Sequence, residues 1–168
     1  VDLRDAIPAD SDAVARVHVK SWQVAYRGLL PDAYLESLQP EARARRYTFG
    51  RTDRSSPQTI VATEGDEILG FATVSPSRDP DTAELGELCA LYVEPDHWDR
   101  RVGVALVQVA RRRLVQLGFT EAILWVLVGN DRATRFYQKD GWCLDGTRRS
   151  DVVWGAAVDE VRMRRSLA

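Results

Sequence analysis

The chain has 168 residues, 45% of them hydrophobic, which suits one globular domain over residues 1–168 with a full core. Its 23 Lys and Arg against 25 Asp and Glu leave a net charge of −2, too balanced to predict nucleic acid or a membrane surface as partner. No run approaches the ~18 apolar residues of a membrane span and VDLRDAIPAD does not read as a signal peptide, so a cytoplasmic setting is expected.

Val1 to Ala6 is short and partly alternating, an edge strand broken by Pro8-Ala9-Asp10-Ser11-Asp12. Apolar residues at Val14, Val17, Val19, Trp22 and Ala25 then mark one helical face, ending at Gly28. A short helix is predicted from Asp32 to Leu38 and a charged one from Pro40 to Phe49. Thr59–Thr63 and Glu67–Ser75, separated by Gly65-Asp66, read as a hairpin, and Ser75–Ala83 as an exposed loop.

Glu84 to Glu94 is predicted as the central strand, with Leu88, Leu91 and Val93 in the core. Alternation places Glu87 on the face of Cys89 and Leu91 unless a bulge intervenes. Cys89 reads as a buried small hydrophobe, and with Cys143 it has no metal-ligand spacing, so no metal is expected. Arg100-Arg101-Val102-Gly103-Val104-Ala105 then leads into a helix over Gly103–Leu117. Leu106, Val109, Ala110, Leu114 and Leu117 are expected to face the sheet, and Arg111-Arg112-Arg113 the solvent.

A strand feeding a helix through such a turn aims unpaired N–H groups and the positive end of the helix dipole at one spot, suited to a phosphate. Gly103 allows close approach of the anion, and Ala105 keeps the first turn thin. Neither G-x-G-x-x-G nor G-x-x-x-x-G-K-[ST] is present. Gly118 caps the helix, and Glu121–Val128 is apolar enough for a buried parallel strand. Asn130 is placed to cap a helix over Asp131–Asp140, and Trp142–Arg149 with Val152–Arg164 predicts a terminal hairpin turning near Gly155.

Two motifs in this stretch resemble the acyl-CoA site of the GNAT superfamily of N-acetyltransferases. The first, [QR]-x-x-G-x-[GA], is matched by Arg100, Gly103 and Ala105. The second, N-x-x-A-x-x-F-Y-x-x-x-G-[FW], is matched by Asn130, Ala133, Phe136, Tyr137, Gly141 and Trp142. The resemblance implies an α/β fold, a twisted mixed sheet of about seven strands flanked by helices, with acetyl-CoA as co-substrate. It implies that Leu91, Tyr92 and Val93 offer backbone to the pantetheine arm where their strand splays from its parallel neighbour. The turn Arg100, Arg101, Val102, Gly103, Val104 and Ala105 would take the pyrophosphate, with Asn130, Ala133 and Phe136 also at the cofactor. Members frequently carry glycine where this chain has Arg101, so a left-handed backbone there would cost arginine ~1 kcal/mol.

Acetyl transfer to an amine needs a neutral amine, a polarised thioester carbonyl and a proton for the departing thiolate. Tyr137 matches the tyrosine that supplies that proton in the family, and a phenol with pKa ~10 still holds it at neutral pH. Glu87 is the candidate base, with Glu84, His97 or water as alternatives. The first two helices usually wall the acceptor site, which points to Trp22 and Tyr26, and after them Arg27 and Tyr34, as substrate contacts. His18, one turn before Trp22, reads as structural or solvated. A small-molecule amine is expected as acceptor, with a protein or peptide amine, or a non-catalytic acyl-CoA-binding module, as alternatives. Dimerisation is common among members, though no stretch marks an interface.

Overall fold

The computed structural model describes all residues, Val1–Ala168. Seven strands form one mixed sheet: β1 Asp2–Asp5, β2 Gln58–Glu64, β3 Glu67–Pro76, β4 Gly86–Val93, β5 Glu121–Leu127, β6 Cys143–Val153 and β7 Ala156–Ser166. Their order across the sheet is β1-β2-β3-β4-β5-β7-β6. Five α-helices accompany them: α1 Ser11–Ala25, α2 Asp32–Glu36, α3 Pro40–Ala44, α4 Val102–Gln116 and α5 Asp131–Lys139. None is long and apolar enough to cross a membrane.

The main core lies between the sheet and α4, where Val102, Leu106, Val107, Ala110 and Leu114 bury against Leu69, Ala72, Val74, Leu88 and Leu124. Val109 is only half-buried, and Val107 takes the inward place instead. Two smaller clusters on the opposite face are built on α1, one around Val19, Trp22 and Leu35, the other around Val14, Val17 and Phe71. The arginine run on α4 is not simply solvated: Arg111 pairs with Asp140 at 3.0 Å and Arg113 with Asp5 at 2.6 Å, leaving Arg112 exposed. These pairs tie α4 to the end of α5 and to the edge strand.

Two features of β4 position everything that follows. It pairs in parallel with β5 only through Gly86↔Ala122 and Glu87↔Ile123, then diverges. Gly86 lets α4 and Phe119 pack directly over that junction, since a Cβ there would lie 2.6 Å from Leu114 Cδ2 and 3.1 Å from Phe119 Cδ2. The second feature is a bulge against β3: Thr73 faces Ala90 and Val74 faces Leu88, so Cys89 is the extra residue. An extra residue inverts the alternation beyond it. Leu88, Leu91 and Val93 therefore share the α4 face, while Glu87 shares the other with Ala90 and Tyr92. Simple alternation, which puts Glu87 with Leu91, is corrected by that one residue.

Helix α3 ends at Ala44 rather than Phe49. The chain turns there because Tyr47 and Phe49 stack on each other at 4.7 Å and Tyr47 bonds His18 across 2.9 Å, contacts a continued helix would forgo. The terminal hairpin turns at Trp154-Gly155, both with positive φ (51° and 81°), the pattern of a type I′ turn. Val152 and Val153 accordingly belong to β6, not to the returning strand.

Candidate active site

Where β4 and β5 diverge, a cleft of about 310 Å³ opens between Leu88–Val93 and Leu124–Leu127, and Asn130, Ala133, Phe136 and Tyr137 close it from α5. Beyond Glu87 the β4 backbone has no partner on β5, so its polar groups on that side remain available. At the far end of β4, Val93 O accepts from Ser21 Oγ at 3.0 Å and Trp98 Nε1 at 2.8 Å, which anchors the splayed strand. Gly103, on the first turn of α4, also lines the cleft.

Helix α4 begins as the sequence predicts, with one strained residue. Arg101 precedes it at φ 61°, ψ 14°, in the left-handed region. The first intrahelical donor is Ala105 to Arg101 O at 3.1 Å, so the N–H groups of Val102, Gly103 and Val104 have no acceptor within the protein. Val102 is wholly buried, backbone included, which leaves Gly103 and Val104, both half-buried, as the residues whose N–H can serve a ligand. The Arg100 side chain turns to Glu64 on β2 at 3.1 Å, and Arg101 is exposed. Arg101→Gly should relieve about 1–2 kcal/mol of backbone strain against the ~0.5–1 kcal/mol that glycine costs in chain entropy. A net gain of up to about 1.5 kcal/mol corresponds to a rise in Tm of a few degrees, read by calorimetry.

Asn130 caps α5, its Oδ1 accepting from the Ala133 N–H at 3.3 Å. Tyr137, one helical turn beyond Ala133, is fixed edge-on between Phe136 (5.2 Å) and Trp142 (6.3 Å). Burial, reinforced by Tyr92 and Asp140, raises its pKa well above that of a free phenol, so the hydroxyl stays protonated. Arg132, which motif reading passed over, also lines the cleft with its guanidinium 3.7 Å from the centre of the Trp98 ring.

On the other face lies a larger cavity of about 600 Å³. Tyr26, Cys89, Ala90, Tyr92, Trp125 and Leu127 line both spaces, so the two meet at the bulge. Trp22 lines the larger one, and Tyr26 stands at the junction with its hydroxyl 3.4 Å from that of Tyr92. The Cys89 thiol lies 3.0 Å from Ser75 Oγ, and burial pushes its pKa up to about 11, which keeps it a thiol. Arg27 and Tyr34 line neither space. Arg27 pairs with Asp32 at 3.3 Å, and the Tyr34 hydroxyl donates to Trp154 O at 2.5 Å. Glu84 is exposed and His97 sits on the turn after β4, neither of them in the walls.

His18 has a larger place than its helical context suggests. It is buried in the cavity wall, stacked on Tyr92 at 4.8 Å, with Trp154 at 5.0 Å. Burial, then the nearby Arg43, holds its pKa well down, so it is neutral at pH 7. Glu87 is buried in the same wall. Its Oε2 meets Arg78 Nη2 at 2.9 Å, and its Oε1 accepts the Arg78 N–H at 3.3 Å. Glu160 is another carboxylate of that wall, held by Arg149 at 3.0 Å, with its pKa raised mainly by burial. Nothing local in the sequence marks it. A glutamate in a terminal strand reads as surface, and only the β5-β7-β6 order sets Glu160 opposite Leu127.

Comparison with known proteins assigns this architecture to a class. Residues 20–142 match the family described as "Acetyltransferase (GNAT) family". An uncharacterized N-acetyltransferase, YuaI, of Bacillus subtilis (strain 168) is 30% identical over 164 residues, covering 92% of each chain. The spermidine N(1)-acetyltransferase of Thermoplasma acidophilum is 24% identical over 157 residues, 91% of this chain and 94% of that one. The crystal structure of the PaiA N-acetyltransferase of Thermoplasma acidophilum in complex with coenzyme A superposes with a TM-score of 0.71 at 20% identity, covering 98% of both chains. The chain belongs to the GNAT family of acetyltransferases.

Proposed function

We propose that this chain, acting as one domain over residues 1–168, moves acetyl from acetyl-CoA to a primary amine of a small molecule by direct attack. The observation that carries the reading is the meeting of two spaces at the Cys89 bulge, one floored by unpaired strand backbone and one enclosed by side chains. The first fits acetyl-CoA: the splayed β4 edge suits the amide-rich pantetheine arm, and the free N–H groups of Gly103 and Val104 suit its pyrophosphate. Bound there, acetyl-CoA supplies an activated acyl carbon. Leu91, Tyr92 and Val93 would hold the arm through backbone, and Asn130, Ala133 and Phe136 would bound it from α5. Arg132 could add a charge at the same cleft.

The chain's own residues then perform three tasks. The cavity orients the amine, with Trp22 and Tyr26 in its wall. Glu87 takes the amine proton, directly or through water. Tyr137 holds a proton for the departing sulfur. A cavity of about 600 Å³, in the range of small-molecule sites and walled on one side by the Trp154 hairpin tip, favours a small acceptor over a protein lysine. The test is acetyl-CoA-dependent release of free thiol across polyamines, aminoglycosides, amino acids and short peptides. A small-molecule hit supports the reading, exclusive use of peptides shifts it to a macromolecular acceptor, and failure to bind acetyl-CoA removes it.

A further inference from the structure

The charges around the acceptor cavity do not balance one another locally. Its walls hold the carboxylates of Asp79, Glu87, Asp151 and Glu160, and each has a guanidinium partner. Arg78 meets Glu87 at 2.9 Å, Arg149 meets Glu160 at 3.0 Å and Asp151 at 3.6 Å, and Arg162 meets Asp79 at 3.2 Å. Two further arginines of the wall, Arg43 and Arg46, have no carboxylate partner. Arg43 is the more telling, because its Nε is buried with no acceptor at all. Aromatic rings frame its guanidinium, Trp154 at 5.2 Å and Tyr47 at 5.4 Å from their centres. Neutral His18 adds no charge between it and Tyr92.

We propose that the acceptor is an amine that also carries a compact oxyanion, a carboxylate or a phosphonate, which Arg43 holds, and that it is not a polyamine. The proposal rests on the acetyltransferase reading of the same cavity. A guanidinium matches such an oxyanion with two parallel hydrogen bonds, and Arg43 lines the cavity with no carboxylate of the protein to compete for it. A polyamine would bring further ammonium groups into a wall whose carboxylates are all engaged and whose unpaired side chains are cationic. Arg43 does not serve the phosphates of the co-substrate, since it lines the acceptor cavity and not the cleft.

The experiment measures thiol release with the α-amino acids, their carboxamides, their aminophosphonate analogues and spermidine. The expected result is kcat/KM about 10–100-fold higher for the oxyanion-bearing amine than for its carboxamide, as for one charged hydrogen-bonded pair. Preference for either oxyanion supports the proposal and names the group. Arg43→Met should bring the ratio of oxyanion to carboxamide toward one, and Arg43→Lys should keep part of it. A ratio measured on one preparation is insensitive to the fraction folded. Spermidine as the preferred acceptor, or a ratio unchanged in Arg43→Met, overturns the proposal. So does silence of every oxyanion-bearing amine, both in turnover and in calorimetric titration of CoA-saturated protein. Intact acetyl-CoA binding in that last case leaves the acetyltransferase reading standing, whereas its loss removes both.

Discussion

Tyr137→Phe is expected to lower turnover by about 10²–10⁴-fold, the usual contribution of a positioned general acid, while acetyl-CoA affinity is retained. The ring stays between Phe136 and Trp142, so the substitution removes the hydroxyl and little else. The pH dependence sharpens the test. Burial, then Tyr92 and Asp140, raises the Tyr137 pKa above the ordinary ~10, so the acid should not be lost by titration anywhere below pH ~10. Turnover that declines in the wild type between pH 8 and 9, and declines identically in Tyr137→Phe, would place the limiting acid elsewhere. Full activity in Tyr137→Phe would withdraw the assignment.

Glu87→Gln should produce the second large effect, about a 10²-fold loss in kcat/KM near pH 7. Glutamine keeps the shape and an acceptor oxygen, and Arg78, 72% exposed, remains solvated when the opposing charge is gone. A missing base has a signature that a merely loosened wall lacks. The deficit should shrink about tenfold per pH unit as the acceptor amine approaches its own pKa and sheds its proton unaided. A deficit constant across pH would make Glu87 a positioning residue. If Glu160→Gln shows the shrinking deficit instead, proton abstraction belongs to β7, where the raised Glu160 pKa suits a base at neutral pH.

The elements of the proposed cofactor cleft were legible in sequence because they depend on local geometry. A turn into a helix, an Asn N-cap and a helical Phe-Tyr pair are encoded within a few residues of one another, and each lies where its spacing predicts. The positive φ of Arg101 was signalled only by the family resemblance, through the glycine that members frequently carry there. The proposed acceptor cavity depends on long-range order. Glu87 faces the cavity only because one unpaired residue on β4 shifts the pleat, and whether a strand is bulged is decided by the neighbour it pairs with. His18, Arg43, Trp125, Trp154 and Glu160 come from five separate elements or turns, and no periodicity within any of them announces a common destination. Helix α3 shows the same limit: helical propensity through Tyr47 yields to the aromatic contacts that Tyr47 and Phe49 make with the rest of the wall.

The hairpin tip makes one wall of the larger cavity from a residue that the backbone itself resists. A bulky side chain at positive φ costs ~1–2 kcal/mol, and asparagine or glycine would sit in that turn with less strain. Trp154 nonetheless occupies it, its carbonyl held by Tyr34 and its ring against His18 and Trp22. The work of shaping that wall is thus done when the chain folds, before any acceptor arrives. Drift toward an easier turn residue would relieve that strain but give up the ring's packing on His18 and Trp22, a larger loss, and would leave the cavity wider. A single position therefore ties the stability of the fold to the shape of the cavity, and a change there should be expected to alter both.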